Sequence, residues 1–351
     1  MALYFGPVTK EAQELLNYCT KYLVRDAYRD PTTRNFPEGW RFPLVAPVLQ
    51  EDATAGKFNE VTFIYYNRDN EAINSLEIVG SFFPMHKSLT LQNVQYNGES
   101  TQLYYLTVIL PVGKGYQYKF RVNGQDRLDF INPQRVTLNN GKEWSFFFTD
   151  YYNYTMNFEE WEMNLLYRMV EQIIPFRTED AQNYINRYYY GLTKGEKDAT
   201  PIHRLDQSVG EVNYITNLLA KEERHHLVDY KICIDLIDRV LRQRNPFVNS
   251  WQVSMEMIND LYNQMATNNV PGWDYGRYGN PQYFLKLLRR HCITGAFCHP
   301  RYGGNIGGAG WNYLKEKYCA KDAQTGLVTS SFFNWDLAME APLGKNKDYR
   351  G

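Results

Sequence analysis

Three stretches of this chain carry residue types that could do chemistry. The first is Glu222-Glu223-Arg224-His225-His226. On a helix, Glu222 with His225, or Glu223 with His226, would share a face three residues apart. Carboxylate di-iron bundles use that Glu-x-x-His spacing, but on two helices and with two further glutamates. Only one copy is present, so the segment reads as a solvated, charged helix face, and no metal is assigned. The second stretch holds Cys292, Cys298 and His299. A zinc site needs a fourth ligand and usually closer cysteine spacing, so buried thiols beside a loop histidine fit better. The third is the run His299-Pro300-Arg301-Tyr302-Gly303-Gly304-Asn305-Ile306-Gly307-Gly308-Ala309-Gly310-Trp311. So many glycines permit turns with positive φ and the close approach of another backbone. Two readings stay open: a surface where a partner docks or a cofactor comes near, or a tight turn that closes a helical unit on Trp311. The sequence has no G-x-G-x-x-G after a strand, no phosphate-binding G-x-x-x-x-G-K-[ST], no C-x-x-C-H and no G-x-S-x-G. No catalytic or cofactor-binding residue is therefore assigned.

The elements that must hold these residues begin with the size of the chain. Its 351 residues correspond to about two domains of ~150. Apolar residues make up 44% and charged residues 22%, the balance of a folded chain. No apolar run nears the ~18 residues that span a bilayer, so no membrane span is expected. Lys and Arg number 38 against 39 Asp and Glu, which argues against a dedicated nucleic-acid binder. Aromatic residues reach 16%, with 29 Tyr, and favour strands and binding surfaces. The five cysteines, odd and scattered, imply no disulfide framework. Met1-Ala2-Leu3-Tyr4-Phe5-Gly6-Pro7 has no basic segment followed by an apolar one, and Arg289-Arg290 is internal. The expectation is a cytoplasmic protein by default, or a periplasmic one if a partner carries it out.

Periodicity predicts a helix from Thr9 to Ala27, ended by Asp30-Pro31, then an extended arm marked by Pro37, Pro43 and Pro47. Strands follow at Val61–Tyr66, Ser75–Val79, Leu103–Leu110, Tyr116–Val122, Arg135–Leu138 and Trp144–Thr149, with turns at Asn123-Gly124 and Asn139-Asn140-Gly141. That spacing predicts an antiparallel sandwich. At Asn157 the pattern becomes helical. Asn157 with Glu160 reads as a capping box ahead of Phe158, Trp161, Leu165 and Met169. Further helices are predicted from Thr178 to Gly191, over Val212–Arg242, from a Ser250 cap to Met265, and from Asn280-Pro281 to about Arg290. The end of the chain, from Ala320, reads as a polar surface tail.

Two resemblances add to this reading. The segment Gly295-Ala296-Phe297-Cys298-His299-Pro300-Arg301-Tyr302-Gly303-Gly304-Asn305, followed by Gly310-Trp311, resembles the C-terminal signature of the gluconate 2-dehydrogenase subunit 3 family. The likeness extends over about residues 155 to 320. It implies a small, non-catalytic subunit that helps a large flavin-dependent dehydrogenase of the glucose–methanol–choline type to fold and to be exported. The FAD would sit in that partner, and a cytochrome c subunit would be a further partner as electron acceptor. His299, Pro300, Arg301, Tyr302, Gly303, Gly304, Asn305 and Trp311 would form the docking loop. The second resemblance is to the early-set sandwich of glycogen-binding domains, carbohydrate-binding module family 48. It rests on Gly80-Ser81-Phe82, Leu110-Pro111, Tyr116-Gln117-Tyr118-Lys119-Phe120-Arg121-Val122-Asn123-Gly124 and Asn132-Pro133. Lys119 matches the family's sugar-contacting lysine. Met85 and Asp126 stand where its two stacking tryptophans are expected.

The expected fold class is α+β and multidomain. An N-terminal helix and arm occupy 1–57, an immunoglobulin-like early-set sandwich 58–152, an all-α domain 153–320 and a tail 321–351. The expected function is that of an accessory subunit of a flavin-dependent sugar or glycoside dehydrogenase. The alternative is a carbohydrate-binding protein that holds a glucan through Lys119 on the sandwich.

Overall fold

A computed structural model describes residues 5–8, 10–23, 42–48, 57–84, 87–132, 134–153, 157–174, 209–321, 324 and 328–333. Antiparallel sheets occupy the N-terminal part and helices the C-terminal part, an α+β arrangement. The first sheet contains β1 (Phe5–Val8), β2 (Leu44–Pro47), β3 (Phe58–Tyr66), β6 (Gln92–Tyr96) and β7 (Glu99–Pro111). Its order is β1-β7-β3-β2, with β6 also on β7. The second contains β4 (Leu76–Gly80), β5 (Leu89–Thr90), β8 (Gly115–Val122), β9 (Gln125–Arg127), β10 (Arg135–Thr137) and β11 (Glu143–Phe148). Its order is β10-β11-β8-β4-β5, with β9 on β8.

The two sheets face one another because their strands alternate. On β8, Tyr116, Tyr118, Phe120 and Val122 are buried, while the residues between them are half-buried. They meet Val61, Phe63 and Tyr65 of β3 in one core, where the Phe63 ring packs on Phe82, Tyr118 and Phe147. The other face of the first sheet is covered by α1 (Ala12–Tyr22), which lays Leu15 and Cys19 on Ile64, Val94 and Leu103. A buried polar knot ties the loop before β10 to the second sheet. Tyr118 donates to Asp129 Oδ2 at 2.6 Å, and Asn132 Nδ2 donates to the Tyr118 hydroxyl at 3.1 Å.

The helical part comprises α2 (Glu160–Ile173), α3 (Glu211–Ala220), α4 (Leu227–Arg244), α5 (Met255–Ala266), α6 (Pro281–Phe297) and α7 (Ala309–Tyr318). Leu165, Leu166 and Met169 of α2, Ile234 and Ile237 of α4, Leu261 of α5 and Leu288 of α6 share its core. Asn280 caps α6 by accepting from Tyr283 N, with Pro281 in the first turn, and the helix runs seven residues past Arg290, to Phe297.

Several expectations are corrected. The first helix is shorter than Thr9–Ala27 and follows a strand, β1, in which Gly6-Pro7 had hidden the pairing with β7. Glu159, not Asn157, caps α2, because Glu162 reaches back to its N–H at 2.7 Å. Asn157 instead donates to Thr216 O. The span Val212–Arg242 is two helices. Lys221 leaves helical geometry at φ −124°, ψ −92°, and its ammonium reaches Asp150 O at 2.7 Å over the Tyr152 ring. Ser254 rather than Ser250 caps α5, and Ser250 opens a short 3-10 turn. The predicted tail contains an antiparallel pair, β12 (Cys319–Lys321) with β13 (Val328–Phe333), since Val328-Thr329-Ser330-Ser331-Phe332-Phe333 suits a strand. The helix predicted from Thr178 to Gly191 lies outside the described residues.

Candidate functional site

The glycine loop begins where α6 ends. His299 caps a 3-10 turn, Pro300–Tyr302, by accepting from Arg301 N at 3.2 Å. The chain then doubles back against its own helix. A Cβ on Gly304 would fall 2.2 Å from Gly295 O, and one on Gly310 would fall 2.1 Å from Ala296 O. Both glycines are therefore required by contact with α6. Asn305 braces the turn, donating to Cys298 O and accepting from Gly310 N, each at 2.8 Å. Gly303, at φ +84°, presents its carbonyl to Asn213 Nδ2 of α3 at 2.7 Å. Trp311 Nε1 donates to Phe297 O at 2.9 Å.

This geometry divides the eight candidate residues in two. Pro300, Gly303, Gly304 and Asn305 are buried and build the base. His299, Arg301, Tyr302 and Trp311 lie on the outside, with Tyr302 52% and Trp311 39% exposed. Arg301 is not free: it binds Asp150 Oδ1 at 2.6 Å.

The exposed side of the loop continues onto the second sheet. The His299 ring lies 6.0 Å from Trp311 and 5.5 Å from Phe148, and Phe148 lies 4.9 Å from Phe146. Trp144, Phe146 and Phe148 are half-buried at alternate positions of β11, while Ser145 and Phe147 between them, and Thr149 just after the strand, are fully buried. The result is an aromatic row along one strand that passes through His299 to the loop. Lys119, the candidate sugar contact, is half-buried on β8 with its ammonium 5.0 Å above the Trp144 ring. Sequence reasoning missed Trp144, Phe146 and Phe148. Their alternation was visible, but Phe147 between them masked which aromatics face out. Asp126 holds Arg121 at 2.8 Å. Met85 lies outside the described residues.

A connector fastens the two parts. Asn217 accepts from Tyr152 N at 2.9 Å and donates to Tyr152 O at 2.7 Å. Asn153 accepts from Val45 N at 2.5 Å and donates to Pro43 O at 3.0 Å.

The Glu222–His226 segment forms a turn and a short 3-10 stretch, Arg224–His226, rather than a regular helix. Glu223 meets His291 instead, as Nε2 of that residue lies 2.8 Å from its Oε2. Cys292 and Cys298 are free thiols, directed at Val170 O and Gly295 O, and do not converge with His299. Burial pushes the Cys298 thiol up to about 11 and Cys292 well above its ordinary value. Among the described residues no three His, Cys, Asp or Glu side chains are arranged to hold a metal ion, and no helix is long and apolar enough to cross a membrane. No protein-family model matches the chain, and no curated protein matches it.

Proposed function

We propose that this chain is a non-catalytic accessory subunit that docks on a larger, flavin-dependent sugar dehydrogenase through the exposed side of the glycine loop, the FAD belonging to the partner. The sheet pair would be an early-set, immunoglobulin-like sandwich serving as a second docking arm. The observation that carries this reading is the division within the loop. Its small residues are used internally, against α6 and α3, which leaves Tyr302 and Trp311 exposed on a rigid base. Aromatic anchors held in place lose little entropy on binding and dominate interface energies. The resemblance of the loop to the small-subunit signature names the partner.

The test is co-purification with a large flavin-dependent dehydrogenase of the glucose–methanol–choline type, co-expressed with this chain. Tyr302→Ala should weaken association by about 2 kcal/mol, roughly 30-fold in Kd. Its effect on the stability of the isolated chain should stay within about 0.5 kcal/mol. A variant that binds the flavoenzyme as tightly as the natural chain would refute the reading.

A second reading is favoured by one observation. Lys119 and Trp144 adjoin on the outer face of the second sheet, a cation beside an aromatic face that could stack a sugar ring. Calorimetry with a maltooligosaccharide, lost in Trp144→Ala and in Lys119→Ala, would support a carbohydrate-binding role.

A further inference from the structure

We infer that the docking surface runs on from the glycine loop along the exposed face of α6, and that it receives an acidic protein surface with an apolar centre. The first observation is a bias in the sequence. From Pro281 to Leu314 the chain carries Lys286, Arg289, Arg290 and Arg301 and no Asp or Glu. At the density of the whole chain, 39 in 351, such a stretch would hold about four carboxylates.

The fold gathers this bias on one side. Phe284, Leu285, Leu287, Leu288 and Cys292 of α6 enter the helical core, while Lys286, Arg289, Arg290 and Ile293 are exposed. Lys286, Arg289, Ile293 and Phe297 follow one another at helical steps of three or four residues and so form one ridge. The ridge ends at the loop, where the Phe297 carbonyl accepts from the Trp311 indole N–H. Ile293 is 47% exposed, close to the value for Trp311. Cations leading to an aliphatic and an aromatic anchor give the anatomy of an interface, apolar at its centre and charged at its rim.

Two of the four cations are neutralised from neighbouring elements. Arg290 holds Glu223 Oε2 at 2.5 Å, and Arg301 holds Asp150. Lys286 and Arg289 have no acidic partner among the described residues. Their number indicates the class of partner. Anionic lipid surfaces are recognised by clusters of about four to eight cations, and a nucleic-acid backbone by a comparable number of contacts. Two free cations fall short of both. They suffice to steer a protein whose carboxylates meet them while its apolar centre takes Ile293 and Trp311, and an arginine can fork onto a carboxylate through two parallel bonds. That this protein is the dehydrogenase rests on the function proposed above; the acidic character of the partner does not.

The experiment follows association of the full chain with a dehydrogenase of the glucose–methanol–choline type by biolayer interferometry at low and high salt. Two double variants change the net charge equally: Lys286→Glu with Arg289→Glu on the ridge, and Lys57→Glu with Arg239→Glu elsewhere, all four residues being exposed. At about 20 mM salt the ridge variant should associate about tenfold more slowly, with a dissociation rate within about twofold of the natural one. At about 300 mM the deficit should shrink below about threefold, because screening removes the steering. The control pair should stay within about twofold at both salts. Ile293→Ala should do the reverse, raising the dissociation rate and sparing association. Should the ridge variant fail to fold, Lys286→Gln with Arg289→Gln replaces it, with a deficit of about threefold at low salt. The inference is overturned if the ridge variant associates as fast as the natural chain, or if the control pair slows association equally. If the natural chain does not bind the dehydrogenase at all, the subunit reading is at fault and fluorescent poly-glutamate becomes the probe. A loss of affinity of at least about fivefold confined to the ridge variant then supports the inference, and any other pattern overturns it. Binding of the natural chain to vesicles containing about 30% phosphatidylserine, lost in the ridge variant, would overturn it in favour of a membrane surface.

Discussion

The carbonyl oxygen of Gly295 lies 2.2 Å from where a Cβ on Gly304 would stand, so the glycine loop and α6 touch backbone to backbone. Gly310 makes the same kind of contact with Ala296. Neither methyl group can be accommodated by rotating a side chain, because the obstacle is main chain. Gly304→Ala and Gly310→Ala should each cost about 2 kcal/mol or more, read as a lower denaturation midpoint. Gly279→Ala meets nothing closer than 3.9 Å and should stay within about 0.5 kcal/mol.

The connector should be equally sensitive. Asn153 is 1% exposed and satisfies both Val45 N–H and Pro43 C=O. Asn153→Leu strands a donor and an acceptor, each costing about 1–3 kcal/mol when buried. Urea melts should show a loss of about 3 kcal/mol, with Asn153→Asp less damaging because it still accepts from Val45.

Asp129 should make part of the stability of the fold depend on pH. Burial raises its carboxyl above the ordinary 3.8, outweighing the hydrogen bonds from Tyr118, Ile131 and Asn132. The folded state therefore takes up a proton at higher pH than the unfolded chain does. Its contribution is fully present below 3.8 and is lost as pH rises through the raised value. Asp129→Asn removes this titration. The melting temperature of the variant, compared with the natural chain over the acidic range, should lack the component that declines with rising pH; superimposable profiles would contradict the assignment.

The four thiols whose burial is described, Cys19, Cys233, Cys292 and Cys298, should be inert in the native state. With Cys298 at about 11, its thiolate is about one part in a thousand at pH 8. Cys19, Cys233 and Cys292 are more deeply buried. A chromogenic disulfide reagent should react slowly with the folded Cys319→Ser chain at pH 8 and rapidly in guanidinium. Prompt native-state labelling of Cys298 would show that the end of α6 opens readily at neutral pH.

Much of the fold was legible where one residue type forces the backbone. Asn123 and Gly124 adopt φ of +49° and +81°, the pair a two-residue hairpin turn demands, and Asn280-Pro281 starts α6 as its sequence indicates. Features set by distant contacts were not legible. The break at Lys221 falls in the polar run Lys221-Glu222-Glu223-Arg224-His225-His226, which reads as readily as the solvated face of a continuous helix; it coincides with the reach of Lys221 to Asp150, seventy-one residues away in the chain. The glycine loop stood out in the sequence, but its division into base and exposed side depends on which glycines meet α6. The aromatic row was hidden because Trp144, Phe146, Phe147 and Phe148 read alike until the pairing of β11 with β8 assigns their faces.

The segment from Asp150 to Asn153 is gripped from both directions. Asn153 clasps the sheets through Val45 and Pro43, while Tyr152 and Asp150 clasp the helices through Asn217, Lys221 and Arg301. Covalent continuity is thus only one of the ways in which the two halves are joined. A gene split just after the codon for Asn153 would leave the first fragment carrying a ready-made handle for the second.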